Sequence, residues 1–314
     1  MQQAAFDQIL NRAARKRALI PSISSGETNA YRLLDGEGDG VPGLCIDVYA
    51  GHWLVQTRDI PFPDSLRDRL PDGCLSVWWK ALTNEESQRD APIWIAGAGQ
   101  TSVTGLENGI VYLIDFASGY SQGIFLDQRD NRAWLRRVCD PGDRVLNLFA
   151  YTCAFSVAAG MVNAAATSVD LSANYLDWGR RNFAQNAIPC DDGSGHRFFA
   201  WDTFDFLKMA KRKGERYQFI VCDPPTFSRN KSGKVFRVEK DYGNLIARCA
   251  EVLAPGGVIL CSTNHRVLTP WKFEEMVRFG VNEAGAQVVS LVFNEMPDDF
   301  TGEAYLKSVR VEID

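Results

Sequence analysis

The sequence predicts an α/β fold: a wound, mostly parallel sheet of seven strands that ends in an antiparallel hairpin, preceded by a small α+β domain. Three observations predict it. From Gly109 onward, short apolar runs alternate with stretches of helical spacing, the rhythm of strand–helix–strand units. The last two apolar runs, 286–293 and 305–313, are joined by a segment without helical pattern, as hairpin arms are. Residues 21–107 have another texture, with short strand candidates cut apart by glycine and proline turns.

Taken in order, 2–19 reads as a helix with Phe6, Ile9, Leu10 and Ala13 on one stripe. Arg12, Arg15, Lys16 and Arg17 gather at its end, where cations suit the helix dipole and where a basic face could either touch RNA phosphates or simply be solvated. Strand candidates follow at 31–34, 44–48, 53–57, 74–79 and 93–95, with 35–40, Pro42-Gly43 and Ala50-Gly51 as turns. Asp35, Glu37 and Asp39 do not make a calcium loop, because the terminal glutamate of an EF-hand is missing at its offset. Residues 110–116 alternate like a hairpin arm, and 128–137 reads as a helix. Then come strand 144–149, helix 153–161, strand 166–169, helix 173–187, strand 197–201, helix 203–213, strand 217–222 and helix 239–253, which stops at Pro255-Gly256-Gly257. Strand 258–262, helix 270–284 and the final pair complete seven strands. The expected division is an N-terminal helix at 1–20, a small domain at 21–107 and the wound domain at 108–314.

The chain has 314 residues, 46% hydrophobic and 23% charged, with a formal net charge of −5. That composition suits one large and one smaller soluble domain and carries no global polybasic signature, so contact with a nucleic acid rests on local patches. Eight scattered cysteines with no Cys-x-x-Cys pair, and only three histidines, argue for reduced core thiols and against a metal site. No run approaches the ~20 apolar residues of a membrane span, and no apolar secretory core opens the chain, so the expected setting is the cytoplasm.

The stretch that organises the rest is Asn147-Leu-Phe149-Ala150-Tyr151-Thr152-Cys153, with Asp170 after the next apolar run. An acidic residue at the end of the second strand of such a unit suits the two hydroxyls of a ribose; the bland alternative is a surface aspartate. The turn lacks Gly-x-Gly, which weakens a pyrophosphate cradle and points to a nucleoside ligand without phosphates, S-adenosylmethionine (SAM) foremost. Asp202 and Asp223 follow later strands, so topology gathers three aspartates on one rim. Asp202 reads equally as an N-cap of the helix opening at Thr203. After Asp223, Pro224 and Pro225 fix the backbone, which turns nearby carbonyls toward a planar base, and Phe227 could stack on that base. Arg229 to Lys240 is a basic loop beside this corner, either phosphate-holding or merely solvated.

Together, Gly123-Ile-Phe125-Leu-Asp127-Gln-Arg129, Asn147 to Thr152, Val169-Asp170-Leu171-Ser172, Asp202-Thr203-Phe and Asp223-Pro-Pro-Thr-Phe227 resemble the class I SAM-dependent methyltransferases that modify large-subunit ribosomal RNA. The stretch 31–44 resembles the small domain that precedes catalysis in that family, and 297–307 its final hairpin. The likeness runs from about residue 28 to the end. Cys153 and Ala154 stand where the family often has glycines, and the RNA-binding PUA domain that many members carry has no counterpart in these residues. The resemblance implies a Rossmann-like class I methyltransferase sheet with SAM as cofactor, RNA as substrate and no metal. The small domain would contact RNA or pack a second subunit in a homodimer. It also implies that Phe125, Asp127 and Arg129 close over the methionine end and that Asn147, Phe149, Ala150, Tyr151 and Thr152 line the cofactor. Asp170, Ser172 and Asn174 would serve the ribose side, with Leu171, Asp202, Thr203 and Asp223 toward the adenine and the target.

The methyl donor is already activated, so the nucleophile decides what else the protein must supply. Cytosine C5 needs a thiolate to add to the ring. The family's cytosine branch places that cysteine just beyond the fifth strand, where this chain has Thr263; Cys261 lies two residues back, about 6–7 Å away along a strand. Ser262-Thr-Asn264-His265-Arg266 is closer to the guanine-N7 branch, with these polar residues to read a guanine edge. The expectation is methylation of a guanine nitrogen in large-subunit rRNA. Cytosine C5 through Cys261 is the alternative, and a small-molecule or protein substrate the third reading.

Overall fold

The computed structural model describes residues 3–83, 90–119, 121–229, 233 and 235–314. They form two compact units, one of residues 1–129 with 296–304, the other of 130–295 with 305–314. In the first unit the chain runs α1 (Gln3–Arg17), α2 (Pro21–Ser24), β1 (Ala30–Asp35), β2 (Leu44–Tyr49), β3 (His52–Thr57), α3 (Ser65–Asp68), β4 (Ser76–Ala81), β5 (Ile93–Gly97), β6 (Ser102–Glu107) and β7 (Ile110–Asp115). Strands β1 to β5 make one sheet in sequence order, antiparallel except for β3 with β4. The helix expected as a separate element at 1–20 belongs to this unit: Phe6 and Leu10 share a buried cluster with Leu33, Ile46 and Val55. The boundary expected between 107 and 108 also fails, because it would cut between β6 and β7, which pair over their full length.

The basic end of α1 is tied to Asp39 on one side, while Arg12, Arg15 and Lys16 remain exposed as a solvated face would be. Arg12 donates to the carbonyl of Asp39, and Lys16 and Arg17 donate to its carboxylate. Arg17 is 1% exposed and also donates to the carbonyl of Asp299. A buried carboxylate must be paired, which is why three cations of one helix converge on Asp39.

The second unit begins within α4 (Arg129–Val138) and follows with β8 (Arg144–Leu148), α5 (Ala154–Gly160), β9 (Ala165–Val169), α6 (Ala173–Gln185), β10 (Arg197–Phe199), α7 (Thr203–Arg212), β11 (Tyr217–Cys222), the hairpin β12 (Phe227–Arg229) and β13 (Val235–Arg237), α8 (Val238–Ala250), β14 (Leu253–Thr263), α9 (Pro270–Glu283), β15 (Val288–Asn294) and β16 (Lys307–Ile313). The seven-stranded sheet has the order β10-β9-β8-β11-β14-β16-β15, parallel through β14 and antiparallel beyond. Both faces are covered. Leu146, Ile220, Cys222, Ile259 and Cys261 face the cluster that holds Tyr242, Leu245 and Phe273 of α8 and α9. Val145, Val221 and Leu260 face Trp134 and Phe155. Burial on both faces explains why these strands read as unbroken apolar runs. The Pro255-Gly256-Gly257 segment lies inside β14, at a break in register: Tyr217 and Phe219 are two residues apart, while their partners Leu253 and Val258 are five apart. The strand thus absorbs the extra residues as a bulge.

Candidate active site

Strand order reverses between β8 and β11: β9 and β10 lie to one side, β14 to the other. A crevice at the carboxyl ends of strands at such a switch point is where open α/β sheets take ligands. The turn after β8 is the first wall. It carries no glycine, yet Phe149, Tyr151 and Cys153 all sit at positive φ (55°, 48° and 61°). Each left-handed non-glycine residue costs about 1–2 kcal/mol, so the turn keeps a glycine-like course at a cost that packing must offset. Phe149 lies 6.0 Å from Phe236, Tyr151 packs edge-on against Tyr175 at 4.5 Å, and Cys153 is fully buried. Three of the turn's amides are committed inside the chain: Ala150 N to Val169 O, Tyr151 N to the Asp170 carboxylate, Cys153 N to Ala150 O. No pyrophosphate cradle is made of them, which agrees with a nucleoside ligand that lacks phosphates.

Asp170 closes β9. Its Oδ2 accepts from Tyr151 N at 2.9 Å and its Oδ1 from Ser172 N at 2.8 Å. Burial nevertheless raises its pKa above the ordinary 3.8, against the lowering effect of these backbone bonds. The Leu171 amide also lowers it, and a carboxylate's roughly four lone-pair positions still leave room for a ribose hydroxyl. Ser172 caps α6, accepting from Tyr175 N, and Asn174 is exposed in the first turn.

Asp202 caps α7, accepting from Phe204 N at 3.0 Å and Asp205 N at 3.3 Å. It lines a small cavity of about 70 Å³ with Phe149, Leu171, Phe236, Asp241 and Asn244. Cap and cavity wall are therefore one residue in two roles. Leu171 brings the segment after β9 to this cavity; Asp170 and Asp223 do not line it. The three aspartates follow β9, β10 and β11 at one end of the sheet, and Asp202 lines this hollow.

Asp223 follows β11, with Pro224 buried, Pro225 partly so and Phe227 44% exposed. The guanidinium of Arg237 lies 5.0 Å from the Phe227 ring centre. The stretch expected as a loose basic loop is a hairpin at its described ends, where Phe227 pairs with Arg237 and Arg229 with Val235. Residues 230–232 and 234 lie outside the described residues. Beneath the corner, the Tyr242 hydroxyl stands 3.1 Å from both Cys222 O and Ser262 O, bridging the ends of β11 and β14.

Several other expected side chains are committed within the fold. The Asn147 side chain is 2% exposed and donates to Ser156 Oγ, which bonds Ser168 Oγ at 2.8 Å; it props α5 against the sheet. Thr152 is buried as well, and Thr203, though 5% exposed, lines the cavity beside Asp202. Arg129, in the first unit, is 2% exposed and grips Asp299 through two bonds of 3.0 and 2.5 Å. Phe125 is 36% exposed and precedes the 3₁₀ turn Leu126–Gln128, which holds Asp127. Cys261 is fully buried among apolar side chains, and burial pushes its thiol well above the ordinary value, which disfavours the thiolate. His265 is not a loose surface residue: its Nε2 is 3.1 Å from Glu239 Oε1, and Lys307 donates to its carbonyl. Arg266 lies 4.8 Å from the Tyr305 ring centre, and Asn264 is exposed.

Sequence reading missed Phe236, Asn244 and Tyr242. Phe236 sits in the stretch read as a basic loop. Asn244 and Tyr242 share α8, whose spacing shows only a buried stripe. The signal for Tyr242 was a phenol on that stripe, since a buried hydroxyl needs an acceptor.

A sheet with this order, an acidic residue closing its second parallel strand and a glycine-like turn after the first define the class I α/β methyltransferase arrangement. Comparison with known proteins agrees. The family model for S-adenosylmethionine-dependent methyltransferases matches residues 80–301. YwbD of Bacillus subtilis, named as a ribosomal RNA large subunit methyltransferase, is 34% identical over 309 residues, covering 95% of this chain and 76% of that protein. The ribosomal RNA large subunit methyltransferase I of Aeromonas salmonicida is 31% identical over 300 residues, 91% of this chain and 74% of its own. A methyltransferase crystallised in complex with S-adenosylhomocysteine (SAH) matches with a TM-score of 0.86 at 31% identity, over 99% of this chain and 82% of that one. The chain belongs to the S-adenosylmethionine-dependent large-subunit ribosomal RNA methyltransferase family. SAM is its cofactor, and bound SAM supplies a methyl group already activated on a sulfonium. Among the described residues no group of metal-ligating side chains gathers, and no helix is long and apolar enough to cross a membrane.

Proposed function

We propose that the chain methylates a guanine base of large-subunit ribosomal RNA at N7. The substrate class is supported by relatives named for that RNA over most of their length. The observation that carries the choice of atom is the state of the cysteines along the strand ends. Cys222 and Cys261 are both fully buried with raised pKa, and Cys153 is pushed up to about 12 by burial. Addition to cytosine C5 needs an accessible thiolate. Guanine N7 presents an in-plane lone pair and has no proton to lose, so alignment alone suffices.

In this reading Asp170 accepts from the ribose hydroxyls, while Leu171 and Asp202 hold the adenine side. The proline-stiffened corner after Asp223 fixes the target base, with Phe227 as its stacking face. Exposed Asn264 and Arg266 read the guanine edge, arginine being suited to O6. Nucleoside mass spectrometry of rRNA from a strain that lacks the gene tests this. Loss of 7-methylguanosine is expected, restored by the wild-type protein. Loss of 5-methylcytidine instead would establish the C5 reading, and unchanged rRNA would remove the RNA substrate altogether.

A further inference from the structure

The corner that follows β11 has few amides of its own to hold it, because Pro224 and Pro225 carry no backbone N–H. Helix α8 holds it from both ends. Before the corner, Cys222 O lies 3.1 Å from the Tyr242 hydroxyl. After it, Thr226 O accepts from Val238 N at 3.2 Å. Val238 and Tyr242 are one turn apart on the same face of the helix, about 6 Å along its axis. Asp223 and the two prolines are thus bracketed by a single turn of α8.

The Tyr242 hydroxyl has a second partner, Ser262 O of β14, also at 3.1 Å. Ser262 is itself anchored from the other side. Its Oγ lies 2.8 Å from Ser308 Oγ, which accepts from Asn131 Nδ2 at 3.0 Å. The phenol therefore stands between an anchored carbonyl and the carbonyl that opens the corner, with one proton to serve both. Its ring is fully buried and packs edge-on against Phe273 at 5.0 Å. Burial holds the phenol well above its usual 10, so it stays a donor.

We propose that Tyr242 is a positioning residue for methyl transfer: its hydroxyl ties the corner after Asp223 to the end of β14 and so aligns the target base with the donor methyl. The role rests on the reading that this corner holds the target base, and it is the same whichever base atom is methylated. Transfer from a sulfonium depends mainly on alignment, and a misplacement of about 1 Å can cost on the order of a hundredfold. A phenol that merely fills the core would affect transfer no more than Phe273 beside it.

The test is single-turnover methylation of large-subunit rRNA from the deletion strain, at saturating SAM and RNA, which isolates the transfer step. Tyr242→Phe keeps the ring and removes the hydroxyl. It should slow transfer by ~10–100-fold and leave SAM affinity, measured by calorimetry, unchanged. Phe273→Leu loosens the same core with the hydroxyl in place; it should lower the urea midpoint and spare the transfer rate. Should Tyr242→Phe not fold, Ser308→Ala frees Ser262 on its other side and should show the same split more weakly. A wild-type rate in Tyr242→Phe, an equal loss in Phe273→Leu, or a loss that lies in SAM affinity overturns the role. Phe227→Ala separates the two readings. A wild-type rate there would sink the corner as the target site, whereas a slow Phe227→Ala beside an unaffected Tyr242→Phe overturns Tyr242 alone.

Discussion

At Asp170 two effects of pH run in opposite directions. Burial raises its folded pKa above the ordinary 3.8, so within that window the folded chain holds a proton that the unfolded chain has released. Stability of the free protein therefore falls as pH climbs through the window. Ribose hydroxyls donate to the ionised carboxylate, so SAM affinity strengthens over the same climb. Calorimetric titration with SAM from about pH 4 to 7 should show weaker binding at the acid end. Asp170→Asn should weaken binding at neutral pH by ~10–100-fold and flatten the dependence, because a charged acceptor is worth about 1.5–3 kcal/mol. A pH trend that persists unchanged in Asp170→Asn would assign it to another group. Cys261 is the reverse case. Its spacing from the strand end made it a candidate nucleophile, yet alternation along β14 sends it inward, packed with Cys222 and Cys249. Cys261→Ala should leave methylation within about twofold of wild type and lower stability by ~1 kcal/mol, measured by turnover and urea melts side by side. The strand's apolar run was legible in the sequence; the side each residue faces was not, because both faces are buried and both read as apolar.

At the level of elements, the strained turn after β8 and helix α6 depend on one another. Cys153 occupies a left-handed position that glycine would take freely, and its side chain fits only because Gly179 of α6 lies over it. A methyl at Gly179 would overlap Cys153 Sγ and come within 2.8 Å of its Cβ. Gly179→Ala should cost about 1–3 kcal/mol by overpacking. Cys153→Gly removes both offending atoms and relieves the positive φ. The double variant should then recover most of the loss, a coupling of ~1–3 kcal/mol in a double-mutant cycle. Purely additive effects would mean that α6 shifts away instead. From sequence, Cys153 is only a departure from a glycine-rich pattern; its partner Gly179 carries no signal by itself. The strand–helix alternation and the terminal hairpin were legible, since period and turn residues encode them locally. The β12–β13 hairpin was not, because Arg229, Lys231, Lys234 and Arg237 read as a solvated run. What orders it is Phe236, 7% exposed and packed near Phe149 and Phe204, which are distant in sequence.

At the scale of the whole molecule, the chain passes from the second unit back to the first at residues 296–304 and returns for its last strand. Asp299 is the most connected anchor of that excursion. Asp299 is fully buried; it accepts two bonds from Arg129 and one from Arg32 N, and its carbonyl accepts from Arg17. Asp35 adds a bond from Gly302 N at 2.7 Å. The sequence shows only an unpatterned connection between two apolar runs, and nothing local marks Asp299 as buried. Its partners lie near the other end of the chain. A buried guanidinium left without its carboxylate costs about 3–5 kcal/mol, far more than a surface pair. Asp299→Ala should therefore destabilise the first unit by up to that order, since Arg129 loses the carboxylate it grips while its side chain is 3% exposed. Hydrogen exchange should locate the effect, with amides of 296–304 and of β1 losing protection together, Arg32 N foremost. Asp299→Asn keeps an acceptor for Arg32 N but no charge for Arg129, and should fall between wild type and alanine. If instead Asp299→Ala melts like wild type and only 296–304 exchanges faster, the excursion is a surface loop, and Arg129 is held by other partners.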